Sequence, residues 1–325
     1  MERINKLKSI YQTIDKGTAE YKMRKLPRFP KIIELEITNH CNFQCLMCPT
    51  GLGLSKRERG YMEAFVFQNV LAEAVKEDCQ AIKFVGQGES LLHPEAISFL
   101  QRAKENGLVV HLTTNGSLMS SEIMKKLIDM KIDSVKFSFQ GVDKEGYFAL
   151  RQKDCFEEVL HKSAMLYEMR GGTKTEPYIT IGTTIIDESS EKIKEFKKLC
   201  RNKADNVEVG ITNLDDVTAG KIQDIEYRKK IDSLHKKQKY LKRRYVCCPQ
   251  IFDTLAVRWN GDITACCADI NGTMVLGNIK KETILACWLG EKESLYRQIL
   301  AKGEYERIEQ CRVCYDVMGW NSGNN

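Results

Sequence analysis

Apolar residues in this chain fall into short β-rich runs separated by longer stretches with helical spacing. Six runs read as strands, at residues 32–37, 81–85, 109–113, 134–139, 178–183 and 206–211. Amphipathic helices lie between them. Residues 65–77 carry Phe65, Val66, Val70, Leu71 and Ala74 on one side, and residues 94–106 stop at Gly107, a residue suited to closing a helix. Residues 120–130 open on Ser120/Ser121 as N-cap and bury Ile123, Leu127 and Ile128. Residues 155–170 stop at Gly171-Gly172, and residues 189–201 turn Ile193, Phe196 and Leu199 inward. This alternation predicts a parallel sheet. Six repeats are two short of a closed eight-fold barrel. The expected α/β fold is therefore a partial (β/α)6 barrel over residues 30–215, with its working face at the C-terminal strand ends. Residues 1–29 read as a helical lead-in ending at the Pro27/Pro30 breaks, 216–246 as a basic linker helix, and 247–325 as a small cysteine-rich domain that depends on metal for stability.

Composition narrows the class. The 325 residues are 42% apolar and 29% charged, enough for a substantial core and room for about two domains. No apolar run approaches the ~18 residues of a membrane span. The N-terminus (MERINKLKSIYQTIDKG) lacks the apolar core of a signal peptide. A cytoplasmic protein without a membrane span is the expectation, and its thirteen cysteines are then reduced thiols that act, where clustered, as metal ligands. The net charge of +6 is only mildly basic, with nine Lys/Arg against one Asp between Arg228 and Arg244. With Tyr240 its one aromatic, it lacks the interleaved rings a single-strand platform requires, so this segment reads as a solvated helix rather than a nucleic-acid site. Its second reading is a docking face for an acidic electron-transfer protein or an anionic substrate.

Directly after the first strand comes His40-Cys41-Asn42-Phe43-Gln44-Cys45-Leu46-Met47-Cys48, which is C-x3-C-x2-C. Three thiolates on one loop suit a [4Fe–4S] cluster with one iron left for an exogenous ligand. A zinc site completed by His40 is the alternative on spacing alone.

These residues resemble the cluster loop of the radical S-adenosylmethionine (SAM) superfamily. Further landmarks of that family follow each strand. Gly86-Gln87-Gly88-Glu89-Ser90-Leu91-Leu92-His93-Pro94 is similar to its GGEPLLHP loop, Thr114-Asn115-Gly116 to TNG, and Phe137-Ser138-Phe139-Gln140-Gly141 to SIDG. Arg151 resembles the Arg of YxxxR, and Ile181-Gly182-Thr183-Thr184 lies where the family builds part of its nucleoside pocket. The resemblance implies that Cys41, Cys45 and Cys48 bind the cluster. It implies that SAM chelates the open iron, is cleaved by an electron from the cluster, and yields a 5′-deoxyadenosyl radical that abstracts hydrogen from substrate. Met47, Gly88, Glu89, Asn115, Ser138, Arg151 and Thr183 are the implied SAM contacts. A carboxylate at Glu89 suits the cationic amino group of methionine. Three positions depart from the pattern: Ser90 stands for Pro, Gln140 for Asp, and Met47 for the usual aromatic beside adenine, where a soft apolar side chain serves.

The last third of the chain holds seven of the thirteen cysteines, with Asn260-Gly261 as a hairpin signal between them. Cys248, Cys266 and the pair Cys311/Cys314 could close a four-thiolate site for zinc or iron–sulfur. The pattern resembles the SPASM/twitch extensions of radical SAM enzymes, in the single-cluster twitch form of the 2-deoxy-scyllo-inosamine dehydrogenases. That implies a second [4Fe–4S] cluster on Cys248, Cys266, Cys311 and Cys314, with Cys247 and Cys267 as alternates. Cys79, Cys155, Cys200 and Cys287 read as small core residues.

Three functions compete on this reading. One is a radical oxidoreductase acting on a small carbohydrate- or aminocyclitol-like alcohol. Another is a radical peptide or protein maturase or an epimerase, for which Cys267 is the candidate hydrogen donor. The third, a zinc-binding scaffold or nucleic-acid binder, leaves the ordered loops unexplained. The expected partners are a small-molecule or peptide substrate and a flavodoxin- or ferredoxin-type electron donor, with no membrane.

Overall fold

The computed structural model describes residues 4–13, 17–171, 176–212, 225–238, 248, 250–311 and 314. Six strands, β1 (Ile32–Leu35), β2 (Ala81–Phe84), β3 (Val109–Thr114), β4 (Ser134–Ser138), β5 (Tyr178–Ile185) and β6 (Asn206–Ile211), pair in parallel and in chain order. The partial barrel expected from the alternation is present. Ile33, Leu35, Ile82, Phe84, Val110, Leu112, Val135 and Phe137 belong to one continuous core with the covering helices.

Two short helices, α1 (Lys6–Thr13) and α2 (Ala19–Arg24), make up the lead-in. Leu7 and Ile10 of α1 pack against Ile32 and Ala81, with Tyr11 and Val109 beside them, so α1 closes the N-terminal end of the barrel. The outer helices are α3 (Ala64–Lys76), α4 (Ala96–Glu105), α5 (Ser121–Asp129), α6 (Lys144–Arg151), α7 (Phe156–Arg170) and α8 (Ser190–Leu199). Ser120 caps α5 by accepting from Ile123 N at 3.2 Å, and Ser189 caps α8 through Lys192 N at 3.3 Å. Helix α6 went unread in the sequence. Its signal is Asp143, whose carboxylate accepts from Gly146 N at 2.8 Å, followed by buried Tyr147, Leu150 and Arg151 one helical face apart.

The inner wall is polar. Lys83 Nζ donates to the Glu34 carboxylate and, at 2.8 Å, to Tyr11 Oη. His111 is held between Ser134 Oγ at 2.7 Å and Thr113 Oγ1 at 3.1 Å. In the unbroken apolar strand of an ordinary parallel sheet such charges would be misplaced; here they face a lumen.

The C-terminal region joins the same sheet. β7 (Thr254–Val257) runs parallel to β1 on the edge opposite β2, and β8 (Asp262–Thr264) and β9 (Val275–Asn278) continue antiparallel. The Asn260-Gly261 hairpin forms, with Gly261 at φ +91°. Trp288, fully buried, donates Nε1 to Pro27 O at 2.9 Å and stacks under Arg297, tying this region to the lead-in. The basic segment gives helix α9 (Ile225–Gln238), and residues 239–244 lie outside the described residues. Among the described residues no helix is long and apolar enough to cross a membrane.

Candidate active site

The connection from β1 to α3 carries the first cysteines and is fastened on three sides. Asn39 Nδ2 donates to Glu58 O at 2.7 Å and Thr38 Oγ1 to Gly60 O at 2.7 Å, folding the loop back on itself. Leu46 N donates to Leu150 O at 2.8 Å, fixing its tip to α6. Asn115 Nδ2 donates to Asn42 Oδ1 at 2.8 Å, and Asn42 Nδ2 to Ser117 Oγ at 2.9 Å, so the loop after β3 grips the cysteine loop as well.

Cys41, Cys45 and Cys48 line one cavity of about 350 Å³ together with Met47, Gly88, Glu89, Asn115, Ser138 and Arg151. Six of the seven SAM contacts implied by the sequence therefore meet the three thiols at the C-terminal strand ends. The seventh, Thr183, is buried and donates to Gly141 O; it lines a neighbouring cavity that shares Ser138 and Gln140 with the first.

Glu89 and Arg151 have their positions set differently. Both Glu89 oxygens are engaged: Asn115 N donates at 2.6 Å, Thr114 Oγ1 at 2.8 Å and Leu91 N at 3.2 Å. Burial pushes its pKa above the usual carboxylate range against these donors. The carboxylate thus braces two strand-end loops, a role the sequence did not reveal. Arg151 donates Nη2 to Ser138 O at 2.5 Å and Nη1 to Cys45 Sγ at 3.7 Å, while its Nε is buried without a partner.

That orphaned donor, three thiols around an open volume and glycine-rich backbone opposite suit a cluster with an anionic co-ligand. Burial pushes Cys45 up to about 11 and Cys41 upward too, with Arg151 pulling Cys45 the other way. Metal binding at these thiols must release protons. Among the described residues no three His, Cys, Asp or Glu side chains are gathered as a single-ion site.

Sequence reasoning missed Glu36 and Arg57. Arg57 Nη1 and Nη2 donate to Glu36 Oε1 and Oε2 at 2.7 and 2.8 Å, Arg57 Nε donates to Ile270 O at 2.8 Å, and Gln87 N donates to Glu36 Oε2 at 3.1 Å. This bidentate pair joins the cysteine loop, the loop after β2 and the C-terminal region. The readable signal was acid at alternate positions of an apolar strand, Glu34 and Glu36.

In the second cysteine group, burial and then the neighbouring Cys314 and Cys311 push the Cys248 thiol upward, and burial and then Cys267 raise Cys314 to about 11. Neighbouring Cys266 and the Glu34 carboxylate of the inner wall push the Cys267 thiol upward. Cys247 lies outside the described residues. Cys79, Cys155, Cys200 and Cys287 sit in the core, as their helical surroundings implied.

The pattern of the Radical SAM superfamily matches residues 35–200, and that of SPASM, an iron–sulfur cluster-binding domain, matches residues 247–315. The chain belongs to the radical SAM superfamily. As a radical SAM enzyme it uses SAM with a [4Fe–4S] cluster and carries a SPASM-type auxiliary cluster region. The tungsten-containing aldehyde ferredoxin oxidoreductase cofactor-modifying protein of Pyrococcus furiosus is 25% identical over 319 residues, spanning 87% of each chain. Among solved structures, BtrN in complex with AdoMet and 2-DOIA is similar at 18% identity and TM-score 0.56, over 87% of this chain and 92% of that one. Streptococcus suis SuiB bound to precursor peptide SuiA is similar at 17% identity and TM-score 0.64, over 84% and 67%. These two structural likenesses speak to the fold.

Proposed function

We propose that this radical SAM enzyme is an oxidoreductase that removes two hydrogens from a small, hydroxylated, carbohydrate-like molecule. The observation that carries the reading is the single cavity shared by Cys41, Cys45, Cys48 and the strand-end loops. Cys41, Cys45 and Cys48 would hold the first [4Fe–4S] cluster, and Cys248, Cys266, Cys311 and Cys314 a second. When bound, the first cluster with SAM supplies a 5′-deoxyadenosyl radical, and the second supplies an electron acceptor inside the chain.

The chain's own residues orient and neutralise. Arg151, tied to Ser138 O and Cys45 Sγ, offers its unpartnered Nε to the SAM carboxylate. Residues 86–88 and Met47 line the same cavity; backbone groups of the former would meet the methionine amino group, and Met47 would offer an apolar wall to adenine. Glu89 fixes the loop geometry through its bonds to Thr114 and Asn115, and the lone pair left on its Oε2 would suit the methionine amino group. A flavodoxin- or ferredoxin-type protein would supply electrons, with the exposed basic residues of α9 as a complementary face.

The match along 87% of the Pyrococcus furiosus protein, named for modifying a cofactor, supports a small-molecule substrate. SuiB, whose structure holds a precursor peptide, keeps peptide maturation as the second reading. Reduced enzyme incubated with SAM and candidate substrates decides. Oxidation gives one 5′-deoxyadenosine per product and a product lighter by two hydrogens. A product of unchanged mass that gains solvent deuterium at carbon means epimerisation instead, and a mass change confined to peptides means maturation.

A further inference from the structure

Beside the cysteine-lined cavity, a second one of about 650 Å³ follows the inner wall of β4, β5 and β6. Ser138 and Gln140 line both, so a molecule in the second space would reach the first. Its charged lining is uneven. Lys8 comes from α1, Lys136 from β4 and Glu208 from β6. Lys136 Nζ donates to Glu208 Oε2 at 2.7 Å, with the two side chains 35% and 48% exposed. Lys136 reaches across Gly182, where an added Cβ would stand 2.2 Å from Lys136 Cε; the glycine leaves room for the lysine to lie along the wall. Lys8 has no ion-pair partner among the described residues. The other inner-wall lysine, Lys83, is already taken by Glu34 and Tyr11. Nearby His111 adds no charge, because burial and both Lys83 and Lys136 disfavour its protonated form. Two cations and one carboxylate therefore face the cavity, and the carboxylate is exposed enough to be exchanged for another anion.

We propose that this cavity holds the substrate by an anionic group, a carboxylate or a phosphate, seated between Lys8 and Lys136. The proposal rests on the reading of the adjoining cavity as the SAM site and narrows its substrate class. Among hydroxylated molecules it selects acidic ones over aminocyclitols, whose ammonium group would meet two lysines. An anion at this point gains charge-assisted hydrogen bonds from both ammonium groups in a partly enclosed space, where they are worth more than at an open surface.

The test is calorimetric titration of the anaerobically reconstituted holoenzyme with inorganic phosphate, acetate and methylammonium. One of the anions should bind and methylammonium should not. In Lys8→Met/Lys136→Met the anion should bind about tenfold more weakly or worse, the effect of losing a charge-assisted hydrogen bond. Lys194→Met/Lys198→Met, on the exposed face of α8, removes the same two charges as a control and should bind as wild type. Gly182→Ala keeps every charge but displaces Lys136 from the wall, so it should weaken the anion as well, and it serves if the double variant fails to fold. Preference for phosphate assigns a phosphorylated substrate and preference for acetate a carboxylate. Absence of anion binding, equal affinity in wild type and Lys8→Met/Lys136→Met, or tighter binding of methylammonium overturns the proposal. SAM is titrated separately: wild type that binds anions but not SAM would remove the SAM-site reading and leave the anion site standing.

Discussion

The backbone of Gly88 lies directly against the carbonyl of His40. A Cβ on Gly88 would stand 2.5 Å from His40 O and 2.4 Å from Thr38 O, and the next amide, Glu89 N, donates to His40 O at 2.8 Å. The strand-end loop after β2 and the cysteine loop are therefore in backbone contact, with no side chain between them to yield. Gly88→Ala should part the two loops, since backbone atoms cannot rotate out of the way. An overpacking cost of about 1–3 kcal/mol is expected. Thermal unfolding should show the loss, and SAM affinity of the reconstituted variant should fall with it; wild-type values on both counts would refute the contact.

Iron content tests the ligand assignment. Replacing Cys41, Cys45 and Cys48 together by Ala should halve the iron of reconstituted enzyme and abolish SAM cleavage. Cys311→Ala with Cys314→Ala should lose the other half and lower solubility, because this small region leans on its metal. A triple variant that keeps full iron would show the first assignment to be wrong.

Arg151 is tied by Nη1 to Cys45 and by Nη2 to Ser138, with Nε still to be satisfied. Arg151→Met should weaken SAM binding about tenfold or more while leaving the second cluster in place. Arg151→Lys should not restore it, since one ammonium cannot span three acceptors. Full affinity in either variant would remove Arg151 from the site.

His111 gives a pH signature. Burial, with Lys83 and Lys136 nearby, pulls its pKa from 6.5 down to about 3. The unfolded chain then takes up a proton that the folded chain refuses, so this contribution is complete above 6.5 and is lost as pH falls toward 3. Between about pH 7 and pH 5 the wild type should lose about 2 kcal/mol more stability than His111→Gln. Denaturant midpoints of the two proteins at both pH values measure it, and parallel losses would mean that His111 is protonated in the folded state.

Much of the architecture was legible in the sequence. All six parallel strands begin where their β-rich runs begin, because the residues that face the helices are apolar at every second position while polar Glu34, Lys83, His111 and Lys136 take the inner positions. The cysteine spacing and the strand-end tripeptides were legible because they are local. What was hidden is contact between loops distant in sequence. Asn42 meets Asn115 and Ser117 across the cavity, and Arg57 meets Glu36 and Ile270 O; neither has a periodic signature. Glu89 lines the cavity and also accepts from Thr114, Asn115 and Leu91, contacts set by the neighbouring strand end that no local pattern announces. Helix α6 was hidden because its apolar residues, Tyr147 through Leu150, run consecutively and show no helical spacing.

The parallel pairing of β7 with β1 has a consequence for how this enzyme can be handled. Ile32 through Leu35 are hydrogen-bonded on one side to β2 and on the other to residues 254–257. Cutting the chain ahead of β7 would leave the strand that precedes the cluster loop as a bare apolar border, the kind of surface that recruits other chains. The auxiliary region is thus the barrel's selvedge, and a minimal catalytic fragment would be expected to aggregate before it could be loaded with iron.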